Sequence, residues 1–179
     1  MASRRANAGP PRSVALVGFM ATGKSKIGRK LAKRLDWPFV DTDRHIEQAM
    51  GRSIPDIFRE RGEGAFREAE RAAIASLLAG EAQVLAVGGG AFVDPDNRAA
   101  LNRGALTVWL DVPFALILPR LARSRNRPLA ANRSESELRA LWDERRQYYA
   151  EAQVRIAVAN EDADATVASI ISAMRSPAA

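Results

Sequence analysis

From Ser13 onward the chain alternates short apolar runs with stretches whose apolar residues recur every three or four positions. SVALVGF, Ser13 to Phe19, reads as a buried strand, and KSKIGRKLAKRL, Lys24 to Leu35, puts Ile27, Leu31 and Leu35 on one helical stripe. PFVD, Pro38 to Asp41, predicts a second short strand, and RHIEQAM a helix behind it. The helical pattern from Ile54 to Gly80 is interrupted at Gly62 and Gly64, which predicts two helices with Gly80 as their stop. QVLAV (Gln83 to Val87), ALTVWLD (Ala105 to Asp111) and VRIAV (Val154 to Val158) complete a set of five strands. Helical patterns fill the intervals, and Pro119 is expected to kink or interrupt the one that begins at Val112. Strands separated by helices, without a hairpin signal or a repeat, predict an α/β fold: a five-stranded parallel sheet, doubly wound, with helices on both faces. Ligands of such sheets gather at the carboxyl ends of the strands. Residues that follow strands are therefore the ones to inspect.

Composition narrows the setting. The 179 residues suit one domain, placed at 13–176, behind a polar, proline-containing segment, 1–12, that reads as a disordered tail. There is no cysteine, which excludes disulfides and thiolate chemistry and fits a reducing compartment such as the cytoplasm. No apolar stretch approaches a membrane span, so no membrane partner is expected. With 27 Lys+Arg against 21 Asp+Glu the net charge is +6, which suits either nucleic acid or small anions. An aromatic share of 6% and arginines scattered through a mixed surface favour small anions and no nucleic acid.

GFMATGKS, Gly18 to Ser25, supplies a site for such an anion. It matches G-x-x-x-x-G-K-[ST] between a strand and a helix, so backbone amides from Ala21, Thr22, Gly23, Lys24, Ser25 and Lys26 are placed to cradle nucleotide phosphates. Lys24 would reach the β- and γ-phosphates, and the Ser25 hydroxyl would bind Mg²⁺. No guanine-reading Asn-Lys-x-Asp follows, and the length suits a small-molecule kinase with a mobile lid, placed at about 123–134. VDTD, Val40 to Asp43, adds two carboxylates where strand gives way to helix, and a strand persisting that far would put Asp41 and Asp43 on one face. Because the third strand runs into glycine, Asp41 is the acidic partner for the metal. Helix capping by Thr42 or Asp43 is the plainer alternative. Three isolated arginines, Arg67, Arg127 and Arg145, are not explained by a basic patch. The glycine run Gly88–Gly90 is costly to order and needs a reason of its own. His45, the one histidine, reads as a solvated residue or one that supports the site without touching substrate, and Trp37, Trp109 and Trp142 read as packing.

Taken together, GFMATGKS, DTD, GRSIPDIFRERGEGAFREAE, GGG, RPL (Arg127 to Leu129) and ER (Glu144–Arg145) make the chain resemble the shikimate kinase family, over about Val14 to Val158. The resemblance implies a phosphate-loop kinase fold of the nucleoside-monophosphate-kinase type with a mobile lid. It implies transfer of the ATP γ-phosphate to the 3-hydroxyl of shikimate, with ATP and Mg²⁺, by a cytoplasmic monomer. It implies that Asp43 binds the acceptor hydroxyls and acts as base, and that Arg67 and Arg145 clamp the carboxylate. Gly88, Gly89 and Gly90 would lie against the acceptor, whose binding region falls at about 42–80, and Arg127 would fold over the phosphates. The chain departs from the family pattern at Ala21 and Thr22, where Gly-Ala is usual, and at Lys26, where Thr is common. RRQYY lacks a following Pro-Leu, which leaves Arg146 as an alternative to Arg145, and the loop ANEDADAT is unlike the family's adenine side. A gluconate-type kinase is the rival within enzymes, and a basic ATP-binding module for nucleic acid the rival outside them.

Overall fold

The computed structural model describes residues 12–122, 133–159 and 162–175. The elements run β1 (Ser13–Val17), α1 (Lys24–Leu35), β2 (Phe39–Asp41), α2 (Thr42–Met50), α3 (Ile54–Ala79) and β3 (Val84–Ala86). There follow α4 (Pro95–Gly104), β4 (Ala105–Asp111), α5 (Phe114–Ala122), α6 (Glu135–Tyr149), β5 (Val154–Ala157) and α7 (Ala163–Arg175). The strands form one sheet in the order β2-β3-β1-β4-β5, every neighbouring pair parallel. β1 is central and buried along its whole length, as its unbroken apolar run requires in a sheet covered on both faces. Where α1 crosses β2, Gly28 allows the contact: a Cβ there would stand 2.5 Å from a ring carbon of Phe39.

A second, smaller apolar cluster of Ile46, Ile57 and Phe66 fixes α2 against α3, away from the main core. It sets the side of the molecule that carries Asp43 and Arg67. Gly62, at φ 78° and ψ 171°, breaks the helical path inside α3 as the sequence predicts, and so re-aims the half that carries Arg67 and Glu70.

Two expectations are corrected. β2 stops at Asp41 and α2 begins at Thr42, so Asp41 and Asp43 do not share a strand face; Asp43 lies in the first helical turn. Pro119 does not end its helix. α5 runs through it from Phe114 to Ala122, anchored on the core by Ile117 and Leu121, because proline's fixed φ is itself helical and the cost is confined to one lost amide bond and local crowding. The tail up to residue 11, most of the expected lid (123–132) and Arg127 lie outside the described residues. Among the described residues no helix is long and apolar enough to cross a membrane.

Candidate active site

The loop between β1 and α1 has the backbone its glycines demand. Gly18 (φ 141°) and Gly23 (φ 88°) occupy positive-φ conformations, and so does Ala21 (φ 61°), a residue with a Cβ in a region that L-residues avoid. Thr22 stabilises the turn by donating to the Phe19 carbonyl at 2.8 Å. Lys24 Nζ folds back on the loop and donates to the carbonyls of Gly18 and Phe19, both at 2.8 Å. The Ser25 hydroxyl donates to Asp41 Oδ2 at 2.6 Å, so the two groups expected at the metal meet at the end of β2. Asp41, not Thr42 or Asp43, stands at the N-cap position of α2, and its side chain makes no cap bond there.

Thr42 instead joins α2 to the end of β3. Its buried hydroxyl accepts from the Gly88 amide at 2.9 Å and donates to the Ala86 carbonyl at 3.3 Å. That tie brings Asp43 against Gly88, where an added Cβ would stand 2.5 Å from Asp43 Oδ1. Two residues on, a Cβ at Gly90 would lie 3.3 Å from Arg67 Nη1 and 3.7 Å from Arg145 Nη2. A Cβ at Gly89 would press on the phosphate loop itself, 3.4 Å from the Met20 amide nitrogen. The glycine run is thus a floor with a carboxylate at one end and two guanidinium groups at the other, laid along the phosphate loop. Only at Gly88 would an added Cβ force its neighbour to move outright; at Gly89 and Gly90 the nearest atoms stand at 3.4 and 3.3 Å.

Arg145 reaches this floor from α6, and its neighbour does not. Arg146 turns to the other side, ion-pairing with Asp111 at 3.4 Å and lying 4.5 Å above the Trp142 ring. Of the two, Arg145 is the one whose side chain lies beside Gly90, and Arg146 occupies another face of the same helix.

Two residues that the sequence did not single out complete the site. Glu70 is fully buried and accepts from Arg67 Nη1 at 2.8 Å, while exposed Glu63 takes the far edge of the same fork at 3.1 Å. Burial raises the Glu70 carboxyl above the ordinary range, against the opposing pull of Arg67 and with a further push from Asp43. Burial also works against the charge of Arg67, but the Glu70 and Glu63 carboxylates outweigh it and raise its pKa. Tyr149, also buried, donates to the Gly89 carbonyl at 2.5 Å and pins the glycine run from beneath. Its phenol is pushed up to about 12 by burial, with Arg145 pulling the other way. An i,i+3 spacing from Arg67 was the available signal for Glu70; nothing marked Tyr149 out from Tyr148.

Beside the phosphate loop lies a cavity of about 190 Å³ lined by Ala21, Gly23, Lys26, Arg120, Val158 and Thr166, among others. Arg120, from α5, donates to the Ala21 carbonyl at 3.4 Å and was likewise missed by sequence reasoning. His45 is half-buried on α2; Trp109 is buried, and Trp37 and Trp142 pack partly buried against the core, as read.

Comparisons with known proteins meet this geometry. The family model described as shikimate kinase matches residues 20–175. The chain is 44% identical to the shikimate kinase of Caulobacter vibrioides over 92% of its length and 82% of that protein's. It is 39% identical to that of Zymomonas mobilis, over 92% and 94%. A shikimate kinase from Acinetobacter baumannii, solved in complex with shikimate, superposes with a TM-score of 0.87 at 36% identity, covering 92% and 93% of the two chains. A gluconokinase from Sinorhizobium meliloti reaches a TM-score of 0.51 at 18% identity, a likeness of fold alone.

Proposed function

The chain belongs to the shikimate kinase family and phosphorylates shikimate with ATP, toward the aromatic amino acids; we propose that it does so across the glycine floor, on the 3-hydroxyl. The observation that carries the reading is the span of Gly88–Gly90 between Asp43 and the Arg67–Arg145 pair. A hydroxylated ring with one carboxylate presents these two chemistries at its opposite ends. Two forks suit a carboxylate because each offers parallel N–H donors, and charged hydrogen bonds are worth roughly 1.5–3 kcal/mol each. Buried Glu70 holds Arg67 in place. The absent side chains let the ring approach the backbone.

Phosphoryl transfer is mostly positioning and charge stabilisation. Asp43 aligns the acceptor hydroxyl and takes its proton, and Lys24 exchanges its two loop carbonyls for phosphate oxygens. Ser25 and Asp41 offer a hydroxyl and a carboxylate at one place, oxygen donors of the kind Mg²⁺ takes, and would hold it there. The ion, when bound, neutralises phosphate charge. Arg120 and the cavity beside it receive the base end of the nucleotide, with Lys26 at the rim. Arg127 closes over the phosphates and excludes water, which otherwise competes as acceptor.

The test is a coupled ADP-release assay with Mg-ATP and shikimate, gluconate or no acceptor. Release with shikimate alone is expected. Equal release with gluconate would transfer the assignment to the rival kinase, and release without preference would leave the glycine floor without a function.

A further inference from the structure

A second cavity, of about 510 Å³, opens on the far side of α6 between the ends of β4 and β5 and the start of α5. It shares only Val158 with the lining of the cavity at the phosphate loop. Its volume falls in the range of small-molecule sites. Among the described residues three arginines, Arg139, Arg146 and Arg155, face one aspartate, Asp111, an excess of positive charge in that lining.

Asp111 is buried at the end of β4 and orders two of these forks. Arg155 donates to its Oδ2 through Nε at 2.9 Å and Nη2 at 2.6 Å, and Arg146 through Nη2 at 3.4 Å. Each guanidinium has five N–H donors, so both retain donors beyond those Asp111 accepts. Arg139 lies 5.3 Å from the Phe114 ring, and among the described residues it pairs with no carboxylate. Aromatic and aliphatic walls complete the cavity: Phe114 and Trp142, whose rings stand 5.7 Å apart, with Pro113 and Val158. Arg146 is held between Trp142 at 4.5 Å and Trp109 at 5.4 Å, which fixes its plane.

We propose that this cavity is a second ligand site, separate from the catalytic cleft, that binds an aromatic monocarboxylate. Forks with spare donors recognise the carboxylate, and the Phe114–Trp142 wall takes the ring. An inorganic anion would leave that wall unfilled, and an uncharged ring would leave the positive charge unanswered.

Trp109 and Trp142 flank Arg146, so tryptophan fluorescence of the full chain reports occupancy, with Trp37→Phe removing the third indole. The probe is 3-phenylpropanoate. Saturable quenching at millimolar concentration or below is expected, unchanged by saturating shikimate or ATP. It should weaken at least tenfold in Arg139→Gln and Arg155→Gln, both of which keep wild-type kcat and KM for shikimate. Arg139 is exposed, so its loss leaves the fold intact and the result readable even where Arg155→Gln destabilises the chain. Absence of saturation, displacement by shikimate or ATP, or undiminished binding in Arg139→Gln would overturn the proposal. Equal affinity for 3-phenylpropanol or inorganic phosphate would overturn it too.

Discussion

The phosphate side and the acceptor side of the cleft are built on opposite plans. Eight consecutive residues make the phosphate loop, and its recognition groups are largely backbone amides held by positive-φ residues at 18, 21 and 23. Of its side chains, Lys24 donates to two loop carbonyls and Ser25 to Asp41 at the end of β2. The acceptor side is assembled from side chains on α2, α3 and α6, converging on glycines after β3. It holds a buried carboxylate, Glu70, whose raised pKa records what burial costs. A backbone cradle tolerates change in its side chains, whereas a side-chain clamp over a bare floor has no slack. Five substitutions sharpen that contrast.

The largest effect is expected at Asp43. Asp43→Asn removes the proposed base and should lower kcat by about 10²–10⁴. The ATP dissociation constant, followed by calorimetry, should stay near wild type, since Asp43 is not part of the phosphate loop; a matching loss of ATP affinity would merge the two sides.

Gly88→Ala comes next. Its Cβ would fall 2.5 Å from Asp43 Oδ1, so the carboxylate must move. A shift of about 1 Å in a reacting group costs roughly 100-fold in kcat. Gly89→Ala, facing a nearest atom at 3.4 Å, should cost much less in kcat. Steady-state kinetics on the pair would break the floor model if the order were reversed.

Arg67→Lys replaces a fork with a point charge, both toward the acceptor and toward Glu70. Loss of one charged hydrogen bond should raise the shikimate KM by about 10- to 100-fold and move the ATP KM little. An unchanged shikimate KM would remove Arg67 from the clamp.

The smallest effect lies on the phosphate side. Ala21 occupies φ 61°, which costs an L-residue roughly 1–2 kcal/mol. Glycine removes that strain but adds about 0.5–1 kcal/mol of chain entropy. Ala21→Gly should therefore raise Tm by a few degrees at most, measured by thermal unfolding, with kcat nearly unchanged.

The same contrast explains what could be read from the sequence. The five strands and α1 follow from periodicity alone, and the phosphate loop is legible because its function lies in consecutive residues. Arg67 and Arg145 acquired roles only through resemblance, since 78 residues separate them and only the fold brings them to Gly90. Glu70 carried only a weak signal, its i,i+3 spacing from Arg67, for a related reason. It is one of several acids in RERGEGAFREAE, and the backbone break at Gly62 decides which of them is buried. Arg120 stood inside an arginine-rich stretch that looked uniform from its composition. The geometry of Asp41 and Asp43 was misjudged because strand end and helix start fall on adjacent residues, where patterns of two and 3.6 cannot be told apart.

The central claim is that the glycine floor positions a ring between Asp43 and a carboxylate clamp. It is tested most directly by comparing kcat/KM for shikimate and its methyl ester in the native enzyme and in Arg145→Gln. The native enzyme should prefer the free carboxylate by at least about 100-fold, the worth of two charged hydrogen bonds at the lower end of their range. Arg145→Gln should reduce that preference at least tenfold, chiefly by losing activity on shikimate itself. A preference that survives the substitution intact would mean that the carboxylate is read elsewhere and that Gly90 does not face it.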